Sequence, residues 1–243
     1  TIGVADVPAI SNFTDLDALV REPDVDLVRV TGMTSRKLDA LIFPGSKNSA
    51  EALRFVKARA IDQVARRVLA DGGTVLGLCG GFQVLGKRIL DQHRIESLEP
   101  DLEGLGLLDV ETTFEPEKVT VEVTGIHLET GSPVQGYEVH MGRTRLGSEV
   151  GPLLEVRRAG DTKHYEEGAV SADGKVFGTY LHGLFDAPEF RRLFLNRLRT
   201  VRGWPPLESR PQATLDQQLD RLADFVEQHV DLSAVEAIIE RGL

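Results

Sequence analysis

One cysteine in 243 residues rules out an internal disulfide, so nothing in the chain asks for an oxidising compartment. No apolar run approaches the roughly 18 residues of a membrane-spanning helix, and no signal peptide opens the sequence. Basic runs are missing as well. With a formal net charge of −10, nucleic acid and anionic membrane surfaces are poor partners. The phosphate loop Gly-x-x-x-x-Gly-Lys-Ser/Thr occurs nowhere. No Cys/His cluster supplies the ligands of a zinc site. The chain opens at Thr1, without Met and directly in a strand pattern, as expected of a fragment or a trimmed protein. These absences leave an ordinary globular composition, 41% hydrophobic and 27% charged, long enough for one large or two small domains and expected in a reducing cytoplasm.

What is present alternates. Ile2 to Val7, Val25 to Val30, Leu38 to Phe43 and Val75 to Leu78 read as short buried strands. Between them, Ser11 to Asp15 offers cap residues before a helical face at Leu16, Leu19 and Val20. Ala50 to Asp71 carries helical periodicity long enough for two helices, stopped by Gly72-Gly73. Strands and helices at this spacing imply right-handed crossovers and a mostly parallel sheet covered on both faces. After a helix expected from Gly80 to about Leu90 the pattern changes. Leu107 to Phe114, Val119 to Val123 and Gly136 to Arg145 are strands with little helix between them, hence antiparallel additions. Ser171 to Lys175 is a hairpin turn before a strand from Val176 to Leu181, and Pro188 opens a helix. The expected domain therefore spans 1–203. Residues 204–243 form a Pro-rich linker and two amphipathic helices, expected to pack on that same domain.

The single cysteine sits at the most informative corner, Gly77-Leu78-Cys79-Gly80-Gly81-Phe82-Gln83. A strand that turns into a helix within one residue holds that residue in a strained conformation and projects its side chain into a cleft. The positive end of a helix directly behind a thiol favours the thiolate. As an ordinary buried thiol Cys79 would be only packing. The flanking glycines and Gln83, one helical turn on, argue for chemistry instead, with Gly81 giving a substrate room to approach the backbone.

This stretch resembles the nucleophile signature of class I, triad-type glutamine amidotransferases. Four further blocks agree in order: Phe43 to Asn48, Glu103 to Leu108, Gly136 to Thr144 and Gly178 to Phe185. Together they are similar to the glutaminase half of the cobyric acid synthases, and the likeness runs nearly end to end. The resemblance implies a class I amidotransferase-like α/β fold. Catalysis would fall to Cys79 and to His182, which stands where these glutaminases keep their histidine. Many triad amidotransferases carry glutamate two residues after that histidine; here the place is held by Leu184. The orienting partner of His182 is thus open, with Asp186, Glu138 or a backbone carbonyl as candidates. Gly45 and Ser46, with Gly80, would supply oxyanion donors, and Gln83 would bind the amino-acid end of the substrate. Asn48 or Ser49 would also serve as an ordinary helix cap.

Glu138 and His140 alternate on one strand and so share a face. Two ligands fall short of a metal site, so none is expected. The pair fits better as lining of the cleft, with Arg143 at its rim. The implied reaction is hydrolysis of L-glutamine to glutamate and ammonia through a glutamyl thioester. The ammonia would serve the ATP-dependent amidation of adenosylcobyrinic acid a,c-diamide to cobyric acid. ATP and Mg belong to a synthetase domain, the N-terminal half of such proteins, and no cofactor is expected in this chain. Two other readings stay open: the glutaminase subunit of a peptidoglycan-amidating, Mur-ligase-like complex, and a non-catalytic docking module with a structural cysteine.

Overall fold

The computed structural model describes residues 1–209 and 215–242, which fall into two units, 1–209 and 210–243. The first half of the larger unit follows the alternation in the sequence. Strand β1 (Ile2–Ala5) leads through a 3-10 turn at Phe13–Leu16 into α1 (Asp17–Val20), then β2 (Leu27–Val30) and β3 (Ala40–Phe43). Two helices follow, α2 (Ser49–Ala58) and α3 (Ile61–Ala70), before β4 (Thr74–Leu78) and the short α4 (Gly80–Leu85). Every residue of β3 is buried, and its alternation divides the core. Leu41 and Phe43 pack with Leu53, Val56, Val64 and Val68 of α2 and α3, while Ala40 and Ile42 pack with Leu16 and Leu19. Helices therefore cover both faces of the sheet.

Helix α4 is shorter than the apolar pattern suggests. It ends at Leu85, and β5 (Arg88–Leu90) runs where helix was expected. Val84, Leu85, Ile89 and Leu90 suit either structure by hydrophobicity alone. The stop is supplied from elsewhere in the chain. After β6 (Asp101–Glu103), the amides of Leu105, Gly106, Leu107 and Leu108 donate to the carbonyls of Val84, Gly86 and, twice, Leu85. The terminal carbonyls that a longer helix would have satisfied are satisfied by this loop.

The remaining strands are β7 (Val110–His127), β8 (Pro133–Leu146), β9 (Val150–Gly151), β10 (Leu154–Arg158), β11 (His164–Glu167), β12 (Ala169–Ser171), β13 (Val176–Thr179) and β14 (Leu181–His182). The two strands expected at Leu107 to Phe114 and Val119 to Val123 are one long strand. Its pairing with β8 slips between Phe114 and Val119, around Pro116, which has no N–H to give to a ladder. The first sheet runs β2-β1-β3-β4-β13-β12-β9, with the first five strands parallel, β12 antiparallel to β13 and β9 antiparallel to β12. The second is built on β7, with β10 and β11, β5 and β6, and the branch β8-β14. Helix α5 (Pro188–Val201) follows, with Pro188 in its first turn. The smaller unit holds α6 (Leu215–His229) and α7 (Leu232–Arg241). Arg210 and Pro211 of the expected linker lie outside the described residues.

Candidate active site

Cys79 occupies the corner between β4 and α4 with φ 50 and ψ −109. A non-glycine residue held there stores on the order of 1–3 kcal/mol, which the surrounding packing has to sustain. The packing is close enough to do so. A Cβ on Gly77 would lie 2.5 Å from the backbone of Gly81, and one on Gly81 would lie 1.9 Å from the carbonyl oxygen of Phe43. Gly81 thus serves contact between helix and strand rather than room for a substrate. The Cys79 amide donates to the carbonyl of Thr179 at 2.8 Å, tying the corner to β13. Its side chain is 9% exposed, and the thiol lies 3.6 Å from the carbonyl oxygen of Val139.

His182 arrives from the other side on β14, whose partner is Tyr137 of β8. Gly136 lets that pair form, because a Cβ there would stand 1.9 Å from the carbonyl oxygen of His182. The Tyr137 ring stacks on the imidazole at 5.2 Å between centroids. Nδ1 of His182 lies 2.7 Å from Oδ2 of Asp15, and the other Asp15 oxygen accepts the Gly183 amide at 2.9 Å. A carboxylate accepts, so Nδ1 carries hydrogen and Nε2 is the free nitrogen. Nε2 is buried and without a hydrogen-bond partner. Burial opposes charging of this imidazole, but the Asp15 carboxylate and then the Cys79 sulfur outweigh it, and the His182 pKa rises to about 9.

Asp15 is the residue that sequence reasoning missed. It lies in the 3-10 turn after β1, where an Asn-Phe-Thr-Asp run reads as helix capping. Its position is set by a buried strut. Arg191 of α5 donates to Glu22, just beyond α1, at 2.7 Å and to the carbonyl of Phe185 at 2.6 Å. Arg192 reinforces the same Glu22 carboxylate. Glu22 follows Asp15 closely in sequence and Phe185 follows His182, so the strut fixes one side of the pair against the other. Asp186 stays near, its pKa raised by burial and by the Asp15 charge, but the carboxylate on the imidazole is that of Asp15.

The loop after β3 faces both groups. A Cβ on Gly45 would stand 3.6 Å from Cε1 of His182, and one on Gly80 would stand 3.1 Å from the Ser46 amide nitrogen. Gly45, Ser46 and Gly80 therefore meet beside Cys79 and His182. The Ser46 hydroxyl is turned away, donating to Pro8 and Asn48 carbonyls, so only the Ser46 backbone is available. Asn48 caps α2 through the Glu51 amide, as expected of a cap residue. Gln83 is not in the cleft. Its amide is buried, accepts from the Ser49 hydroxyl and donates to the Tyr180 hydroxyl at 3.3 Å.

Glu138 and His140 point to the opposite side of β8 from Tyr137. Glu138 is fully buried; its Oε2 accepts a hydrogen bond from Nε of Arg158 at 3.0 Å and lies 2.9 Å from Nη2 of the same ion-paired guanidinium. His140 stacks on Tyr180 at 3.9 Å. Both line a cleft of about 470 Å³ with Arg158, Glu167 and Tyr180, with Arg143 among its walls. Oε1 of Glu138 and Nε2 of His140 have no partner, each a cost of about 1–3 kcal/mol. Among the described residues no group of three or more His, Cys, Asp or Glu is placed to hold a metal ion.

The arrangement can deliver a thiol to a carbonyl carbon, hold a proton opposite it and offer backbone donors between them. Comparison with known proteins shows what the chain as a whole resembles. Residues 1–190 match the CobB/CobQ-like glutamine amidotransferase domain. The chain is 40% identical over 243 residues to the cobyric acid synthase of Clostridium botulinum (strain Kyoto / Type A2), covering 98% of this chain and 49% of that protein. It is 35% identical over 244 residues to the cobyric acid synthase of Listeria welshimeri, with 98% and 48% covered. The chain thus spans about half the length of the curated relatives it matches. Among solved structures, a glutamine amidotransferase superposes with a TM-score of 0.57 at 22% identity, over 81% of this chain and 98% of that one. PurLQS from Thermotoga maritima gives 0.53 at 19% identity, over 81% and 98%. These two likenesses show the fold.

Proposed function

Since the chain belongs to the CobB/CobQ-like glutamine amidotransferase family, we propose that it hydrolyses L-glutamine through a thioester on Cys79. The observation that carries this reading is the pairing at one corner of a strained, buried thiol with an imidazole clamped by Asp15. With His182 holding a proton at neutral pH, the sulfur can attack as thiolate while the imidazolium waits for the leaving group. A C–S bond forms at the side-chain carbonyl carbon, and backbone amides of the Gly45-Ser46 loop and of Gly80 receive the oxyanion. The C–N bond then breaks as His182 passes its proton to nitrogen, and ammonia leaves. Water, deprotonated by the now neutral imidazole, adds to the thioester carbonyl. The C–S bond breaks, the thiolate and the imidazolium that took the water's proton are restored, and glutamate departs.

The ammonia serves an ATP-dependent synthetase domain in the same protein, in the relatives' case the other half of cobyric acid synthase. The acceptor would be adenosylcobyrinic acid a,c-diamide, with ATP and Mg held by that domain, in the cytoplasm. An inert structural cysteine leaves two features without a purpose: the left-handed φ of Cys79 and the buried carboxylate on His182. The test is release of glutamate and ammonia from L-glutamine, in equal amounts, by this chain and by the full-length protein. Absence of release from both would overturn the reading.

A further inference from the structure

The loop that faces the Cys79 corner is held from behind by the segment leading to Asp15. Ile10 and Ser46 form an isolated antiparallel bridge. Its two bonds run from the Ser11 amide to the Gly45 carbonyl at 2.9 Å and from the Lys47 amide to the Ala9 carbonyl at 3.1 Å. Ile10 and Ser46 are thus a non-hydrogen-bonded pair, in which each residue's own N–H and C=O point away from the partner strand. Peptide planarity gives the same direction. The Gly45 carbonyl points at Ser11, so the Ser46 N–H on that trans peptide points the opposite way. On that side lies Gly80, the residue after Cys79, where a Cβ would stand 3.1 Å from the Ser46 nitrogen. Among the described residues no hydrogen bond engages the Ser46 N–H. It is a donor left open beside the thiol.

The segment is bent on both sides of that bridge. Ala9 and Asn12 have φ of 52 and 51, a left-handed conformation that residues with a Cβ seldom adopt. Such bends persist only where neighbouring contacts sustain them. Beyond Asn12 the 3-10 turn brings Asp15 to His182. One short segment therefore reaches the oxyanion loop at one end and the imidazole at the other. We propose that Ser11 is a positioning residue: its main-chain N–H latches the Gly45–Ser46 peptide so that the Ser46 N–H faces the nucleophile. With the latch released, glycine at 45 lets that peptide turn over, and a carbonyl oxygen takes the place of the donor. An oxyanion forming on the substrate meets an N–H in the latched state and a like-signed oxygen in the released one. Ser11 touches no substrate and acts only through Ser46. The proposal rests on the glutaminase reading, because it is the acyl-transfer step that develops the oxyanion.

The test compares Ser11→Pro, which removes the N–H, with Ser11→Ala, which keeps it. Two reactions are followed in each. Glutamate release needs the oxyanion donor, whereas alkylation of Cys79 by iodoacetamide is displacement at a saturated carbon and needs only the thiolate. Cys79 is the one cysteine of the chain, so alkylation reports on it alone. Ser11→Pro should lower kcat for glutamine about a hundred- to a thousandfold, and at least about tenfold further than Ser11→Ala does. The rate of alkylation and its pH profile should stay with those of the parent. Turnover that survives in Ser11→Pro overturns the proposal, and so does an equal loss in both variants. A loss accompanied by a displaced alkylation profile overturns it too, since the segment then acts through Asp15 and His182. Where Ser11→Pro does not fold, an ester at position 11 removes the same N–H without a ring. It is introduced as an α-hydroxy acid by codon suppression and compared with the α-amino acid of the same side chain. A kcat at least about tenfold lower in the ester upholds the latch, and an equal kcat overturns it. Parent chain and full-length protein that both release no glutamate remove the glutaminase reading and the latch together. An active parent indifferent to the N–H removes the latch alone.

Discussion

Two histidines stand on either side of β8, built alike and placed in opposite conditions. Each has Nδ1 engaged and Nε2 buried without a partner. Each is stacked on a tyrosine, His182 on Tyr137 and His140 on Tyr180. The difference is the atom facing Nδ1. For His182 it is a carboxylate, which stabilises imidazolium and raises the pKa to about 9. For His140 it is a neutral carbonyl, which fixes a tautomer without adding charge. The two rings differ in the group that holds Nδ1, a carboxylate for His182 and a backbone carbonyl for His140.

The comparison can be broken by substitution. The largest effect belongs to the thiol that only His182 serves. Cys79→Ser should abolish glutamate release while circular dichroism and melting stay near those of the parent, because serine is nearly isosteric but a far poorer nucleophile. Next comes the ring proposed to carry the proton. His182→Asn should lower kcat/KM for glutamine by about two to four orders of magnitude, and the loss in His140→Asn should fall well short of that. Equal losses would erase the distinction between the rings.

Asp15→Asn tests the contact that separates them. Turnover should fall about ten- to a thousandfold, since a cysteine depends less on its base than a serine does. A second readout isolates the charge. With its folded-state pKa above the unfolded value of 6.5, His182 contributes stability that is fully present below pH 6.5 and lost as pH rises through about 9. That contribution is roughly 3 kcal/mol at most, and Asp15→Asn should flatten the slope in urea unfolding across this window. An unchanged slope would mean that Asp15 only shapes the pocket.

The smallest effect lies on the far side of β8. Burial, against the hydrogen bonds from Thr179 and Tyr180, raises the Glu167 pKa from 4.5 to about 7. The folded chain then holds a proton that the unfolded chain has released, so stability declines as pH rises from about 4.5 to 7. Glu167→Gln should remove that decline with little effect on glutamate release. A steeper decline in the variant would reverse the assignment.

What could be read from sequence was local. The corner at Cys79 announces itself because strand, cysteine and glycines are consecutive, and α2 and α3 are legible from their apolar faces. The end of α4 was not legible, because its stop comes from amides at Leu105 to Leu108. The carboxylate of Asp15 was hidden for a similar reason. A short-range pattern ranks Asp15 as a cap and offers Asp186, just after His182, and Glu138, on a strand read as lining the cleft. Glu138 is instead taken by Arg158, on the other face of its strand. Gln83, read as a substrate ligand from its helical spacing, faces Ser49 and Tyr180 inside the core. Spacing gives the face of a helix but not what that face meets.

The Asp15–His182 contact joins residues 167 positions apart, and this has a consequence for how the molecule comes into being. Contacts of such long sequence separation form late, because a large loop must close before they reward it. During synthesis the thiol emerges well before its imidazole, and until β14 pairs with β8 the cysteine has neither base nor clamp. On the proposed mechanism, a chain whose β14 is unpaired has no imidazole to serve the thiol, so recovery of glutamate release during refolding should lag behind recovery of helical signal.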